Sequence, residues 1–369
     1  MQLSIKLVDF IYFMKTHYRT TILAALLTGF TTAYAQTSAS INGSSKALQV
    51  ILDAKNINRR DTLTKTNINS PAAIAKGRRQ GKVVVITGTR FSYPLIQKWI
   101  DDYNQVNPTI QIIIESRGST DPASYDILAE VYEQDEATRK NREYLYIGRY
   151  AILPVANNKS SFAKTYSEKG VTKDLISQLF FHDIFSDKDK EQTIKEPYTI
   201  YTRLQKAGAP IVFTKYFGYQ QKDIKGKAIA GADEHLLKAI LRDSTGISYL
   251  PLPLIYDQAS KKPNNGLTVL PVDLNGNGRV SNDEKFYDQQ ASVIDHIENK
   301  AIKEINNIPI GYLHLSVDKT NMNSEAVAFL KWVNDNGQKY LHDFGYLTLE
   351  SSSVEKEKSE QFISKHANE

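Results

Sequence analysis

An α/β protein folded as two lobes is what this chain should form, and three features say so. Between about residues 80 and 345, β-branched runs alternate with stretches whose apolar residues fall at helical spacing. That span is long for one compact α/β domain, which argues for two lobes. Three times, a β-branched run breaks into a short polar loop and then meets a proline suited to open a helix.

The first unit is the strand 83–87, the loop Gly88-Thr89-Arg90-Phe91-Ser92-Tyr93 and then Pro94. Leu95, Trp99, Ile100 and Tyr103 follow at helical spacing. The second unit is the strand 110–114, the loop 116–121 and Pro122; the third is the strand 198–201, the loop 203–209 and Pro210. Between them, 144–155 is an extended apolar run and 171–181 an amphipathic helix. Leu236, Leu237, Ile240 and Leu241 form another helical face, closed by Gly246. Residues 247–250 and 267–272 return as strands, and Ala326, Phe329, Leu330, Val333 and Tyr340 mark a late helix. The runs 150–155 and 246–254 are the candidate crossings between lobes. No repeat of solenoid length is present.

The chain ends read differently. A basic stretch from Met14 to Arg19, an apolar run from Ile22 to Phe30 and Ala33-Tyr34-Ala35 make a cleavable signal with its start at Met14. The apolar run is too short for a membrane anchor. There is no cysteine, so neither a disulfide nor a lipoprotein is expected. The expected division is signal peptide 1–35, flexible leader 36–78, first lobe 79–155 and 251–349, second lobe 156–250, and polar tail 350–369. The net charge of +5 includes the signal, and no basic block is interleaved with aromatics, so nucleic-acid binding is not expected.

Each proline-opened junction is suited to an anion. Free backbone N–H groups and the positive end of the helix dipole meet there. Three such corners, with glycine, hydroxyls and Arg90, Arg117 and Arg203 among them, point to a cleft gripping a small oxyanion. The plain alternative is that Thr89 and Ser92 cap a helix, Asp126 sits in a surface turn or pairs with a nearby lysine, and Arg203 makes a surface ion pair.

A second motif lies at 273–284. Asp273, Asn275 and Asn277 stand at positions 1, 3 and 5 of a twelve-residue EF-hand loop, with Gly278 at 6 and an apolar Val280 at 8. Ser281 occupies position 9, Glu284 position 12, and Arg279 offers its carbonyl. Calcium is the expected ion. With two charged ligands the affinity belongs at the weak extracellular end, on the order of 10⁻⁴ M. Its role is structural, clipping the strand 267–272 to a helix starting near Asp283. An Asn-Gly-rich surface turn is the alternative.

Gly88-Thr89-Arg90-Phe91-Ser92-Tyr93-Pro94-Leu95, with Lys98-Trp99 beyond it, resembles the first phosphate loop of periplasmic phosphate-binding proteins, the substrate-binding components of phosphate ABC transporters. Arg117-Gly118-Ser119 resembles the second loop. Arg203 with Ala207-Gly208-Ala209 and Phe213-Thr214-Lys215-Tyr216 resembles the third, and Gly246-Ile247-Ser248-Tyr249 the strand returning to the hinge. The resemblance covers about residues 80–345 and implies a type II periplasmic binding protein with its ligand cleft between two lobes. It implies that Thr89 and Phe91 offer backbone and hydroxyl donors, Ser119 a hydroxyl, and Gly208 and Ala209 backbone N–H groups. It implies further that Asp126 accepts the proton of hydrogen phosphate and Arg203 pairs with the dianion. The third loop departs from the family's usual Ser-Gly-Thr, which removes two hydroxyl donors, and Arg90 is an added cation.

An enzyme is not expected. No G-x-S-x-G elbow occurs, and His182, His235, His296, His314, His342 and His366 are scattered with no metal-binding spacing. The expectation is a monomeric periplasmic protein that captures phosphate, or a related oxyanion, and delivers it to an ABC permease. The alternatives are a secreted, calcium-stabilised adhesion module or a periplasmic hydrolase.

Overall fold

The computed structural model describes residues 73, 74, 77, 78, 80–115, 121–181, 194–205, 208–299 and 307–367. The signal peptide, nearly all of the leader, Arg117, Ser119, His182 and Ala207 lie outside these residues.

β1 (Val83–Gly88) is buried from Val83 to Thr87, as a strand covered on both faces must be. A 3-10 turn, Arg90–Ser92, carries it into α1 (Tyr93–Val106). Pro94 sits in the first turn of α1, and Leu95, Ile96, Trp99, Ile100 and Tyr103 face the core. β2 (Gln111–Ile114) and β3 (Ile127–Glu130) lie parallel to β1 on either side. After α2 (Glu136–Lys140) comes β4 (Arg142–Asn157), the longest strand at 16 residues. α3 (Ser161–Lys169) and α4 (Lys173–Phe180) follow, N-capped by the hydroxyls of Ser160 and Thr172.

The second half repeats the scheme. β5 (Thr199–Arg203) leads into α5 (Ala209–Tyr216), again with a proline, Pro210, in the first turn. β6 (Lys227–Ile229), α6 (Asp233–Arg242), β7 (Gly246–Pro251) and α7 (Leu252–Ile255) come next. β8 (Leu267–Val269), α8 (Gln290–Asn299), β9 (Ile310–Asp318), α9 (Ser324–Trp332) and α10 (Val354–Lys365) complete the chain.

The hydrogen-bonded path runs β2-β1-β3-β9-β4-β7-β5-β6, with β8 paired to β4. In the first half, β1 stands between parallel β2 and β3, and antiparallel β9 closes the row. In the second half, β5 stands between parallel β6 and β7, and antiparallel β4 closes the row. One winding is therefore used twice. β4 joins the halves: Arg142–Ala151 pair with β9, and Ile152–Ala156 with β7. The change of partner falls between Ala151 and Ile152.

Several boundaries differ from the sequence reading. Pro122 opens only the short turn Pro122–Ser124, because Asp121 caps it and β3 begins at once. The return to the first sheet comes at β9 and not at 251, since Leu267 and Val269 are buried where β8 pairs the end of β4. Arg78, counted in the leader, belongs to the folded unit through its ion pair with Asp126. The polar tail is a docked helix. Phe362 of α10 is buried, and Ser359 Oγ both donates to Tyr146 O and accepts from Tyr146 N–H, each at 2.9 Å. Those backbone groups lie where β4 and β9 slip register between Tyr146 and Gly148, and the serine satisfies what the irregularity frees.

Candidate functional sites

The two proline-opened helices leave from equivalent strands, at the carboxyl ends where open α/β sheets bind ligands. Arg203 ends β5. Its Nε donates to Gly231 O at 3.0 Å and its Nη1 to Asp233 Oδ2 at 3.0 Å. Asp233 is buried at the start of α6, and its Oδ1 is buried with no hydrogen-bond partner. Burial pushes its carboxyl up to about 6, against the opposing pull of Arg203.

Gly208 caps α5 with φ at +75°. A Cβ there would stand 3.1 Å from Arg203 Nη1, 3.7 Å from Asp233 Oδ2 and 3.8 Å from Val131 Cγ2. Val131 follows β3, so the charged corner of the second half meets the first half at this point. The first half answers with an apolar wall. Phe91 is buried edge-on to Tyr150, with ring centroids 5.4 Å apart. The Tyr150 hydroxyl donates to Val131 O at 2.7 Å, and the Tyr346 hydroxyl to Phe91 O at 3.3 Å. Burial, and then the charge of Asp233, hold the Tyr150 hydroxyl well above its usual range. α6 also touches the Arg90–Ser92 turn.

Cavities flank α5 on both sides. One of about 430 Å³ is walled by Val131, Tyr132 and His314 of the first half and Ile211, Lys215 and Tyr216 of α5. Another of about 530 Å³ lies within the second half, with Arg203, Thr214 and Gln221 in its lining.

The structure brings Phe91, Arg203, Gly208 and Ala209 to one corner and separates others from it. Thr89 is adjacent, but its N–H is taken by Ala129 O at 2.8 Å, so it is not a backbone donor to a ligand. Arg90 is exposed and lies near the hydroxyl of Tyr93. Ser119 lies outside the described residues. Asp126 does not belong to the cleft. The register sets Ile127 beside Ile86 and Ala129 beside Gly88, which leaves Asp126 about 10 Å down the sheet from the turn. Its carboxylate is occupied there by Arg78, at 3.0 and 3.2 Å, and by the N–H of Val85 at 2.8 Å. The carboxylate at the cleft is Asp233, which the sequence reading passed over. An acid in the first turn of a helix is ordinary dipole pairing, so nothing local marked it.

The loop 273–284 sits apart from the cleft, against the second half. Val171 bridges to Val272, and a Cβ on Gly170 would collide with Val280 at 2.0 Å. Asp273 and Glu284 are each 1% exposed. Asp273 Oδ1 accepts from Gly276 and Asn277 N–H at 2.8 and 3.2 Å, and Oδ2 from Gly278 N–H at 2.8 Å. Glu284 Oε1 accepts from Leu274 N–H at 2.8 Å, and Oε2 from the N–H and hydroxyl of Ser281 at 2.8 and 2.6 Å. Burial raises the Glu284 carboxyl, but the bonds from Ser281, Leu274 and Asn275 outweigh it and hold it below the usual range. Gly276 and Gly278 take φ of +72° and +87°, conformations that suit glycine. The loop ends in a single 3-10 turn, Asn282–Glu284, and α8 begins only at Gln290, so no helix starts near Asp283. Among the described residues, no three His, Cys, Asp or Glu side chains are grouped to hold a metal. The oxygen set here has two carboxylates, with amides, a hydroxyl and a carbonyl as the rest.

Solved structures similar to this chain include the following three. One is a possible phosphate binding protein from Planctomyces limnophilus, 14% identical, with TM-score 0.44 over 77% of this chain and 98% of that one. Another is a putative phosphate ABC transporter substrate-binding protein with bound phosphate from Clostridium perfringens, 10% identical, with TM-score 0.49 over 73% and 100%. The third is the reduced OxyR regulatory domain from Pseudomonas aeruginosa, 10% identical, with TM-score 0.42 over 70% and 99%. No family model matches the sequence, and no curated protein matches it.

The doubled winding, joined through β4 with a charged corner facing an apolar wall, is the two-lobed α/β fold that the sequence predicts. Among the described residues, no helix is long and apolar enough to cross a membrane.

Proposed function

We propose that this chain is a solute-binding protein that holds a small protonated oxyanion, phosphate above all, between its lobes. The observation that carries the reading is the Arg203–Asp233 pair beside Gly208 at the N-terminus of α5, with the buried Asp233 Oδ1 left unpartnered. An arginine alone would welcome any dianion. Beside a carboxylate it favours an anion that brings its own proton. Hydrogen phosphate can donate that proton to Oδ1 while sharing its charge with the guanidinium and the N–H groups of Gly208 and Ala209. Sulfate has no proton to give and sets its lone pairs against the carboxylate. The lost hydroxyls of the third loop fit this arrangement, since backbone donors and Arg203 take their place.

Binding would draw Val131 and Phe91 of one half onto Gly208 and Asp233 of the other, shifting an open population toward a closed one. Capture in a periplasm by a monomer and delivery to an ABC permease complete the reading. That part rests on the signal-like N-terminus and on the resemblance of the loops at 88–95 and 203–216.

Isothermal titration at pH 7 tests it. Phosphate should bind saturably at one site, and sulfate in large excess should not displace it. No heat with phosphate, or equal binding of sulfate, overturns the proposal.

A further inference from the structure

We infer that the loop 273–284 binds one calcium ion and that this ion staples the second half of the fold. Buried charge calls for the ion independently of the motif. Asp273 and Glu284 are both buried, eleven positions apart in the chain yet at the two ends of one closed loop. Among the described residues no lysine, arginine or histidine forms an ion pair with either. Lys285, the nearest cation in sequence to Glu284, turns away to Glu168 at 3.2 Å, and Arg279 is exposed.

Two acidic side chains buried at the ends of one loop, with no basic partner for either among the described residues, are costly to bury unless a cation joins them. The amide groups that surround them lower that cost but bring no net charge.

The donor set names the cation. Asp273, Asn275, Asn277, Ser281 and Glu284 offer only oxygen, and Arg279 adds its carbonyl. Zinc and copper sites favour imidazole nitrogen and thiolate sulfur, and residues 273–284 include no histidine or cysteine. Magnesium demands a small octahedral site and keeps its waters, whereas an irregular loop ending in a glutamate suits calcium.

The loop's attachments say what the ion holds. Asp273 N–H donates to Val171 O at 3.0 Å, and Val171 N–H to Pro271 O at 2.7 Å, which ties the loop to the start of α4. Asn307 Nδ2 donates to Asp273 O at 2.6 Å just before β9, the strand that returns to the first half. Tyr287 closes the other side, its hydroxyl 3.4 Å from Val272 N. Loss of the ion should therefore loosen the anchor of β8 and the root of β9.

Thermal melting of the full chain in EGTA and in about 5 mM calcium tests this. With affinity on the order of 10⁻⁴ M, calcium should raise the midpoint by about 5 °C, and magnesium at the same concentration by much less. Glu284→Gln removes a charge while keeping the side chain's size, and it should abolish the calcium shift without unfolding the protein. Terbium supplies a readout free of stability, since Tyr287 should sensitise its emission in the native chain and not in Glu284→Gln. An unchanged midpoint, an equal response to magnesium, or terbium emission that survives Glu284→Gln overturns the inference. None of these readouts depends on whether the cleft binds an anion.

Discussion

The two halves share one winding, yet their mouths differ in chemistry. The first presents Phe91, Val131 and Tyr150, with hydroxyls turned to backbone carbonyls. The second presents Arg203 and Asp233 around the glycine that opens α5. A repeated fold thus need not give a symmetric site. One half supplies charge and direction, and the other supplies a dry wall that lowers the local dielectric and strengthens that charge.

The strongest way to break this contrast is to remove the charge from the second half. Arg203→Ala should weaken phosphate binding by about 100-fold or more, because it strips the guanidinium and leaves Asp233 buried alone. Arg203→Lys should keep the fold and still lose much of the affinity, since a point charge cannot reproduce the fork. In the first half, Thr89→Ala should change affinity by less than about threefold, because it removes no charge and leaves the Thr89 N–H on Ala129 O. Titration calorimetry on the three variants decides it.

Asp233→Asn sharpens the contrast further. An amide can donate to sulfate, so the preference for phosphate should fall by about tenfold or more. The same variant tests stability. The folded carboxyl lies near 6 and its ordinary value is 3.8, so ionised Asp233 penalises the native state above pH 6. As pH falls from about 6 toward 4, the folded chain takes up the proton first and gains about 3 kcal/mol from this group. Asparagine lacks that gain. Denaturant unfolding at pH 4.5 and 7.5 should show a smaller rise toward acid in the variant than in the native chain.

A further effect is expected where the two chemistries meet. Gly208→Ala places a Cβ 3.1 Å from Arg203 Nη1 on a backbone of positive φ. It should cost about 1–2 kcal/mol of stability and about tenfold in affinity. Circular dichroism melts and the same titration measure both.

Distance along the chain explains why some of this was legible in the sequence. Pro94 and Pro210 marked helix starts because proline acts through its own φ and missing N–H, which need no partner. Pro122 failed because Asp121 and the early start of β3 decide that segment together. β9 went unread although it closes the first sheet. Its run 310–318 includes Gly311, His314 and Ser316 and lacks a clean alternation, for both of its faces are covered. The tail's charges hid Ser359 and Phe362, whose partners stand on β4 more than two hundred residues earlier. The pattern at 273–284 is plain in the sequence, being twelve consecutive residues.

The cleft shows the same rule at its sharpest. Arg203 was readable because β5 delivers it directly to the corner. Asp126 was assigned in place of Asp233 because the sequence shows which residues precede a strand, not which end of the sheet they occupy. Only the parallel register of β1 and β3 sets Asp126 beside Arg78 and away from the cleft. Asp233 reaches Arg203 across thirty positions through the fold of β6 and α6.

A crystal structure of the phosphate-soaked or co-crystallised protein addresses the central claim most directly. The account predicts phosphate between the halves, with oxygens on Arg203 and on the N–H groups of Gly208 and Ala209, and one hydroxyl on Asp233 Oδ1. Phosphate bound elsewhere, or a corner that stays closed on Arg203 and Asp233 at saturating phosphate, would contradict it.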